Sequence, residues 1–278
     1  MKPLPIVLIG ASILFFALNF IGYNINEDHN KIVINEKFDP ALVRLNTLAK
    51  LVNYVDSSCE AKQIKQRTLE YAIEARNIVA LRFYHGYASF DLNENWIAAV
   101  SEKFSLIYFS SMVKADDILM KPHAICSQQA DVLMELLQSK QLDCRAVKWP
   151  GHFTMQCYIN GKWNYFDPDL EPNILPEQRS NPQWLLNHDS LAIAYKKQCN
   201  ADSTFLNKNF GHPLQIKFGE INEVQAPGTR LFQNVTKPLS KIAFLFPILL
   251  LFYFKRKKAH MEHAFVEIIM NKSYHQVA

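Results

Sequence analysis

Apolar positions along the chain change their spacing several times, and each change predicts an element. Pro5 to Tyr23 is apolar and uncharged, with Ile6, Val7, Leu8, Ile13, Leu14, Phe15, Phe16 and Leu18 inside it. That is roughly enough for a membrane span. Bulky Asn19, Phe20 and Ile21 stand where a signal peptide would carry small residues for cleavage, so an uncleaved anchor is expected. From Pro40 the spacing becomes helical: Leu42, Leu45, Leu48, Leu51, Val52 and Val55, with Asp39 as cap and Pro40 at the first position. A second helix is expected over Glu60 to Tyr84, carrying Ile64, Leu69, Tyr71, Ile73 and Ile78. A third follows Pro122, with Val132, Leu133, Leu136 and Leu137 on one face. The period then shifts to strands, Phe153 to Ile159 and Trp163 to Phe166. Asn160-Gly161 between them is a hairpin signal, and Pro168 closes the second.

Beyond these strands, Gln183 to Lys197 reads as a helix through Trp184, Leu185, Leu191, Ile193 and Ala194. Leu214 to Phe218 and Arg230 to Phe232 read as strand-like pieces in polar loops. A second apolar run, from about Leu239 to Phe254, is short for a span and contains Lys241 and Pro247. Lys255-Arg256-Lys257-Lys258 follows it as a stop-transfer and positive-inside signal. The expected division is an N-terminal transmembrane anchor (1–25), a helical part (26–84), a core (85–200), a stem (201–237), a C-terminal transmembrane helix (238–255) and a basic tail (256–278). Both termini would be cytoplasmic, with the core on the other side, in a periplasm or cell exterior.

Charge and composition narrow the function. Net charge is +4, and four of the cations sit together at 255–258. No basic face with interleaved aromatics occurs mid-chain, which argues against nucleic acid as a partner. The five cysteines, Cys59, Cys126, Cys144, Cys157 and Cys199, form no CxxC pair, and no acidic loop of the calcium-binding kind is present. No metal and no cofactor is therefore expected.

Three residues have the types and settings of a nucleophile, its base and the base's orienter. Cys126 stands where a loop gives way to a helix, and free N–H groups at a helix start stabilise a thiolate. His152 opens the first strand after a Pro150-Gly151 turn, and Asp167 closes the second. An imidazole between a sulfur and a carboxylate is held in one tautomer and can move a proton to and from the sulfur.

These residues, with Ile125-Cys126-Ser127, Leu142-Asp143-Cys144-Arg145-Ala146-Val147, Gly151-His152, Gly161-Lys162-Trp163 and Asp167-Pro168, resemble the transglutaminase-like superfamily of papain-like cysteine enzymes. The match covers residues 85 to 175, about a third of the chain. It implies an α+β core in which a nucleophile helix packs on an antiparallel sheet, here flanked by two transmembrane helices. It implies acyl transfer through Cys126, His152 and Asp167, on amide bonds of proteins or peptides in the cell envelope. An upstream side chain would help the Cys126 N–H hold the oxyanion, and Asn95, Trp96 and Gln128 are the polar candidates. Their ordinary readings are a helix cap for Asn95 and a core aromatic for Trp96. His123, close before Cys126 on the same segment, reads as a loop residue. Phe153-Thr154-Met155-Gln156 departs from the family's usual aromatic and Glu after the histidine. That departure motivates an alternative, an inactive domain serving as a binding or assembly module in a membrane complex. Cys59, Cys144, Cys157 and Cys199 would allow three pairings in an oxidising space. Against pairing, Cys144 and Cys157 also read as small buried strand residues.

Overall fold

The computed structural model describes residues 3–26, 37–104, 108–170, 172, 174–199, 203–211 and 215–274. In chain order the helices are α1 (Pro3–Leu18), a 3-10 turn (Pro40–Arg44), α2 (Leu48–Ala61), α3 (Leu69–Arg82), α4 (Leu92–Phe104), α5 (Ala115–Ile118) and α6 (Cys126–Ser139). Strands β1 (Cys144–Lys148), β2 (Phe153–Ile159) and β3 (Lys162–Phe166) follow. Then come α7 (Pro176–Arg179), α8 (Pro182–Leu186), α9 (His188–Cys199), α10 (Ser203–Phe210), β4 (Lys217–Phe218), α11 (Pro227–Ile242) and α12 (Leu245–Tyr274). The fold is mixed α+β. The chain divides into two compact units, one of Met1–Asn26, Phe90–Ser110 and Leu231–Ala278, the other of Glu27–Ser89 and Ser111–Arg230.

The second unit holds the sheet, antiparallel in the order β3-β2-β1-β4. The Asn160-Gly161 turn joins β2 to β3, and both residues take positive φ, 53° and 78°. That backbone is the tight hairpin turn for which Asn-Gly is suited. Alternation gives the sheet two apolar faces. On one, Val147 and Tyr165 join Trp149, Ile174, Leu191, Tyr195 and Phe210 in a buried cluster supplied by α9 and α10. On the other, Cys144, Ala146, Met155, Cys157 and Phe166 are buried, and α6 packs on β1 and β2. Cys144 and Cys157 face each other across the ladder with sulfurs 3.4 Å apart, both free thiols. Helices α2 and α3 pack against α6 in turn.

The first unit is built differently. Ser12 Oγ of α1 donates to the Phe244 carbonyl at 2.7 Å, and Phe16 packs edge-on against Phe244. Helix α11 buries Gln233, Thr236 and Ser240 and exposes Leu231, Val235, Leu239 and Ile242. Its polar stripe therefore faces the protein and its apolar stripe faces out. Leu4, Ile6, Val7, Ile13, Leu14 and Phe16 of α1 are exposed as well.

Several expected boundaries shift. The helix begun at Pro40 breaks after Arg44, and α2 restarts at Leu48 behind Thr47, whose hydroxyl accepts from Lys50 N. The helix expected over Glu60 to Tyr84 is split: α2 ends at Ala61, and α3 starts at Leu69 behind Thr68. Gln63 and Arg67 take positive φ in the gap. Residues 90–104 and 108–110, expected in the core, fold with the terminal helices. The expected stem carries α10 and the start of α11, and Arg230 to Phe232 is helix rather than strand. Among the described residues no single helix is long and apolar enough to cross a membrane. The C-terminal apolar run is divided between α11 and α12, which bend by 63° and are long and apolar enough to cross a membrane only as a pair. The stretch 27–36 of the expected helical part, and Leu214, lie outside the described residues.

Candidate active site

Cys126 is the first residue of α6, so its N–H has no partner one turn back within the helix. The helix start is anchored by Gln128, whose Oε1 accepts from Ile125 N at 3.2 Å and from Ala88 N at 3.0 Å. Its Nε2 donates to the carbonyls of Ala88 and Met112 at 2.6 and 3.0 Å. The loop leading in is tied down by the fully buried Arg82, whose guanidinium donates to the carbonyls of Leu119 and Lys121 at 2.6 and 3.1 Å. Cys126 itself is only half-buried, whereas Cys59, Cys144 and Cys157 are buried.

His152 is presented by the turn before β2. Trp149 N donates to the His152 carbonyl at 2.9 Å, and Gly151 N donates to Asn209 Oδ1 at 2.9 Å. Its ring packs edge-on against Phe205 and Tyr195. Nε2 lies 2.5 Å from Asp167 Oδ2. That leaves Nδ1 as the nitrogen available to the sulfur. Cys126 Sγ, a ring nitrogen of His152 and a carboxylate oxygen of Asp169 all lie within 4.8 Å of one another.

Asp167 is fully buried, and both of its oxygens are satisfied. Oδ2 also accepts from Tyr195 Oη at 2.5 Å, and Oδ1 accepts from the N–H groups of Asp169 and Leu170 at 3.0 Å each. Tyr195 Oη is in turn 2.7 Å from Tyr165 Oη. Burial alone would push the Asp167 carboxyl up. The His152 imidazolium, the Tyr195 hydroxyl and the Leu170 N–H outweigh it and hold the carboxyl below its usual range. Burial opposes charge on His152 too, but Asp167 and then the hydrogen bond with Cys126 raise its pKa well above the usual histidine value. Burial and the Asp167 charge raise Tyr195 far above a free phenol, so it stays a donor. The site thus favours a cationic imidazole between a sulfur and a carboxylate. That arrangement suits attack by sulfur on a carbonyl carbon, with the imidazole moving the proton.

The three residues singled out from sequence therefore come together in one unit: His152 lies beside Cys126, and Asp167 lies on the far nitrogen of the ring. The oxyanion candidates do not join them. Asn95 and Trp96 belong to the other unit, where Asn95 Nδ2 donates to Thr236 Oγ1 at 2.9 Å and Trp96 Nε1 donates to the Ser240 carbonyl at 3.0 Å. Asn95 also caps the continuation of α4, its Oδ1 accepting from Ala98 N. Gln128 is near the sulfur in sequence but spends its amide on the backbone of Ala88, Met112 and Ile125. His123 is buried beside Tyr84, its Nδ1 3.2 Å from the phenol oxygen.

Sequence reasoning missed four residues. Tyr195 comes from α9, remote in sequence. Asp169 follows the Asp167-Pro168 pair and is held by Gln129 Nε2 at 2.9 Å and by His85 Nδ1 at 3.0 Å. The repeated carboxylate in Asp167-Pro168-Asp169 was the available signal for Asp169. Nothing local marked Gln129, His85 or Tyr195. Comparison with protein-family models, curated proteins and solved structures gave no match.

Proposed function

We propose that the chain is a membrane-tethered, transglutaminase-like cysteine enzyme that acts on amide bonds of cell-envelope proteins or peptides. The observation that carries this reading is the single line from sulfur to imidazole to buried carboxylate, with His152 held by Asp167 at 2.5 Å and in reach of Cys126. The Cys126 thiolate attacks the carbonyl carbon, and the Cys126 N–H, at the helix start, donates to the developing oxyanion. His152 gives its proton to the leaving amine, which departs as the acyl-enzyme thioester forms. Water or an amine then attacks the thioester, losing its proton to His152 and releasing the Cys126 thiolate beside the imidazolium. Asp167 and Tyr195 keep the ring in one orientation throughout.

Membrane attachment is supported by the inverted pattern of α11 and the exposed apolar faces of α1 and α12, including Leu249 and Phe252. An apolar stripe facing out while glutamine, threonine and serine face in suits a lipid surround. The basic run at 255–258 favours a cytoplasmic C-terminus. The departure at Phe153-Thr154-Met155-Gln156 has a structural use in this sheet. Gln156 Oε1 accepts from Arg145 Nε and Nη2 at 2.9 and 2.8 Å, and that guanidinium stacks over Trp163 and Phe218. The departure therefore gives no support to an inactive module.

The test is to mix the full-length chain in detergent with an activated ester and digest it after acid quench. An acyl adduct on the Cys126 peptide, absent in Cys126→Ser and strongly reduced in His152→Ala, is the expected result. Absence of any Cys126 adduct at substrate saturation would overturn the reading. Adding a primary amine separates the two fates: faster loss of the adduct with amide product marks transfer, and unchanged loss marks hydrolysis.

A further inference from the structure

A sulfur–imidazole pair oriented by Asp167 has no need of a second carboxylate beside the sulfur, yet Asp169 stands there. Its side chain is only 3% exposed, and its oxygens are fixed by Gln129 Nε2 and His85 Nδ1. The three atoms Cys126 Sγ, His152 N and Asp169 O, mutually within 4.8 Å, form a set of sulfur, imidazole and carboxylate donors. We propose that Cys126, His152 and Asp169 bind a zinc-class divalent cation, and that this ion blocks the nucleophile reversibly.

The donor chemistry fits zinc, which takes thiolate, imidazole nitrogen and carboxylate oxygen at about 2.0–2.3 Å in a tetrahedron. Tetrahedral ligand atoms lie roughly 3.5 Å apart at those bond lengths. Closing from the present separations needs side-chain rotation of about an ångström. The outer shell is already built. Asp167 holds Nε2–H and so leaves the Nδ1 lone pair for a metal, the carboxylate–histidine arrangement that orients metal-bound imidazoles. Gln129 and His85 do the same for Asp169. Three protein ligands leave a fourth position for water or another small ligand. Charge also agrees: a thiolate and a carboxylate around a neutral imidazole sum to two negative charges, which a divalent ion cancels.

That the ion inhibits rests on Cys126 being the nucleophile, whereas that it binds rests on the donor set alone. The experiment is titration of the reduced, chelator-treated full-length chain with Co²⁺. A sulfur-to-cobalt charge-transfer band in the near ultraviolet that saturates at one equivalent is expected. Cys126→Ser, a near-isosteric change, abolishes the band. Asp169→Asn weakens Co²⁺ binding at least tenfold, and Asp167→Asn weakens it by about 10–100-fold through the outer shell. Zn²⁺ protects Cys126 from alkylation, and chelator restores its reactivity. No band at millimolar Co²⁺, or a band of unchanged affinity in Asp169→Asn, overturns the proposal. Cobalt binding without any acyl adduct on Cys126 keeps the metal site and removes the catalytic reading. An adduct without cobalt binding does the reverse.

Discussion

Two buried aspartates in the same unit behave in opposite ways. Asp167 accepts from four donors, two on each oxygen, and its carboxyl is held below the usual range. Asp131 lies on α6 little more than a turn from Cys126, beside a cavity lined by Glu135, Asn222, Glu223 and Arg230. Its Oδ1 is buried with no hydrogen-bond partner among the described residues, and burial followed by the neighbouring Glu135 charge pushes it up to about 8. Arg230 and Lys148 oppose that shift but do not reverse it. Burial is nearly equal at the two sites, so burial does not decide charge; the supply of donors does. The site's negative charge is placed where the chain converges on it with a phenol, two amides and an imidazole.

The sharpest way to break this contrast is Asp167→Asn. Asparagine cannot accept from every donor that Asp167 serves, and it removes the charge that keeps His152 protonated. Acyl-enzyme formation is expected to fall about 10²–10⁴-fold, read by quench and mass spectrometry. A loss under tenfold would put the orienting role elsewhere.

The pH dependence of stability separates the two sites next. Asp167, lowered, contributes stability that is full above its unfolded value of about 3.9 and is lost as pH falls through its lower folded value. His152, raised, contributes stability that is full below about 6.5 and is lost as pH rises through its higher folded value. The pair therefore stabilises fully between about 4 and 6.5, and the urea midpoint difference between wild type and Asp167→Asn should be largest there.

Asp131 has the reverse sign. An acid raised to about 8 gives stability that is full below about 3.9 and lost as pH rises through 8. Asp131→Asn is neutral at every pH, so it should stabilise at pH 9 by on the order of 1–3 kcal/mol and be neutral at pH 4. Equal denaturant midpoints at pH 9 would show that Asp131 finds donors in solution. The smallest expected effect is Tyr195→Phe, which removes one of the four donors to Asp167 and should cost about 1 kcal/mol in the same assay.

What could be read along the chain follows from how local each signal is. Cys126 at a helix start, the strand Phe153–Ile159 and the Asn160-Gly161 turn are properties of short windows, and all three appear where expected. The breaks before α2 and α3 were illegible because they use Thr47, Thr68 and left-handed Gln63 and Arg67, with no Gly or Pro to mark them. Strand β4, Lys217–Phe218, falls at the end of the strand-like piece expected over Leu214 to Phe218, but its pairing with β1, about 70 residues away, has no local signal. Gln128 and Gln129 show the limit most plainly. They are adjacent on α6, yet one braces backbone at Ala88 and Met112 while the other turns toward Asp169. Only packing separates them.

The most direct test of a sulfur activated by His152 is carboxamidomethylation of the full-length chain in detergent between pH 5 and 9, read peptide by peptide. Buried Cys59, Cys144 and Cys157 should stay unmodified in the folded protein. Cys126 should react at pH 6 at least tenfold faster than it does in His152→Ala. Equal rates at pH 6 in the two proteins would contradict the account.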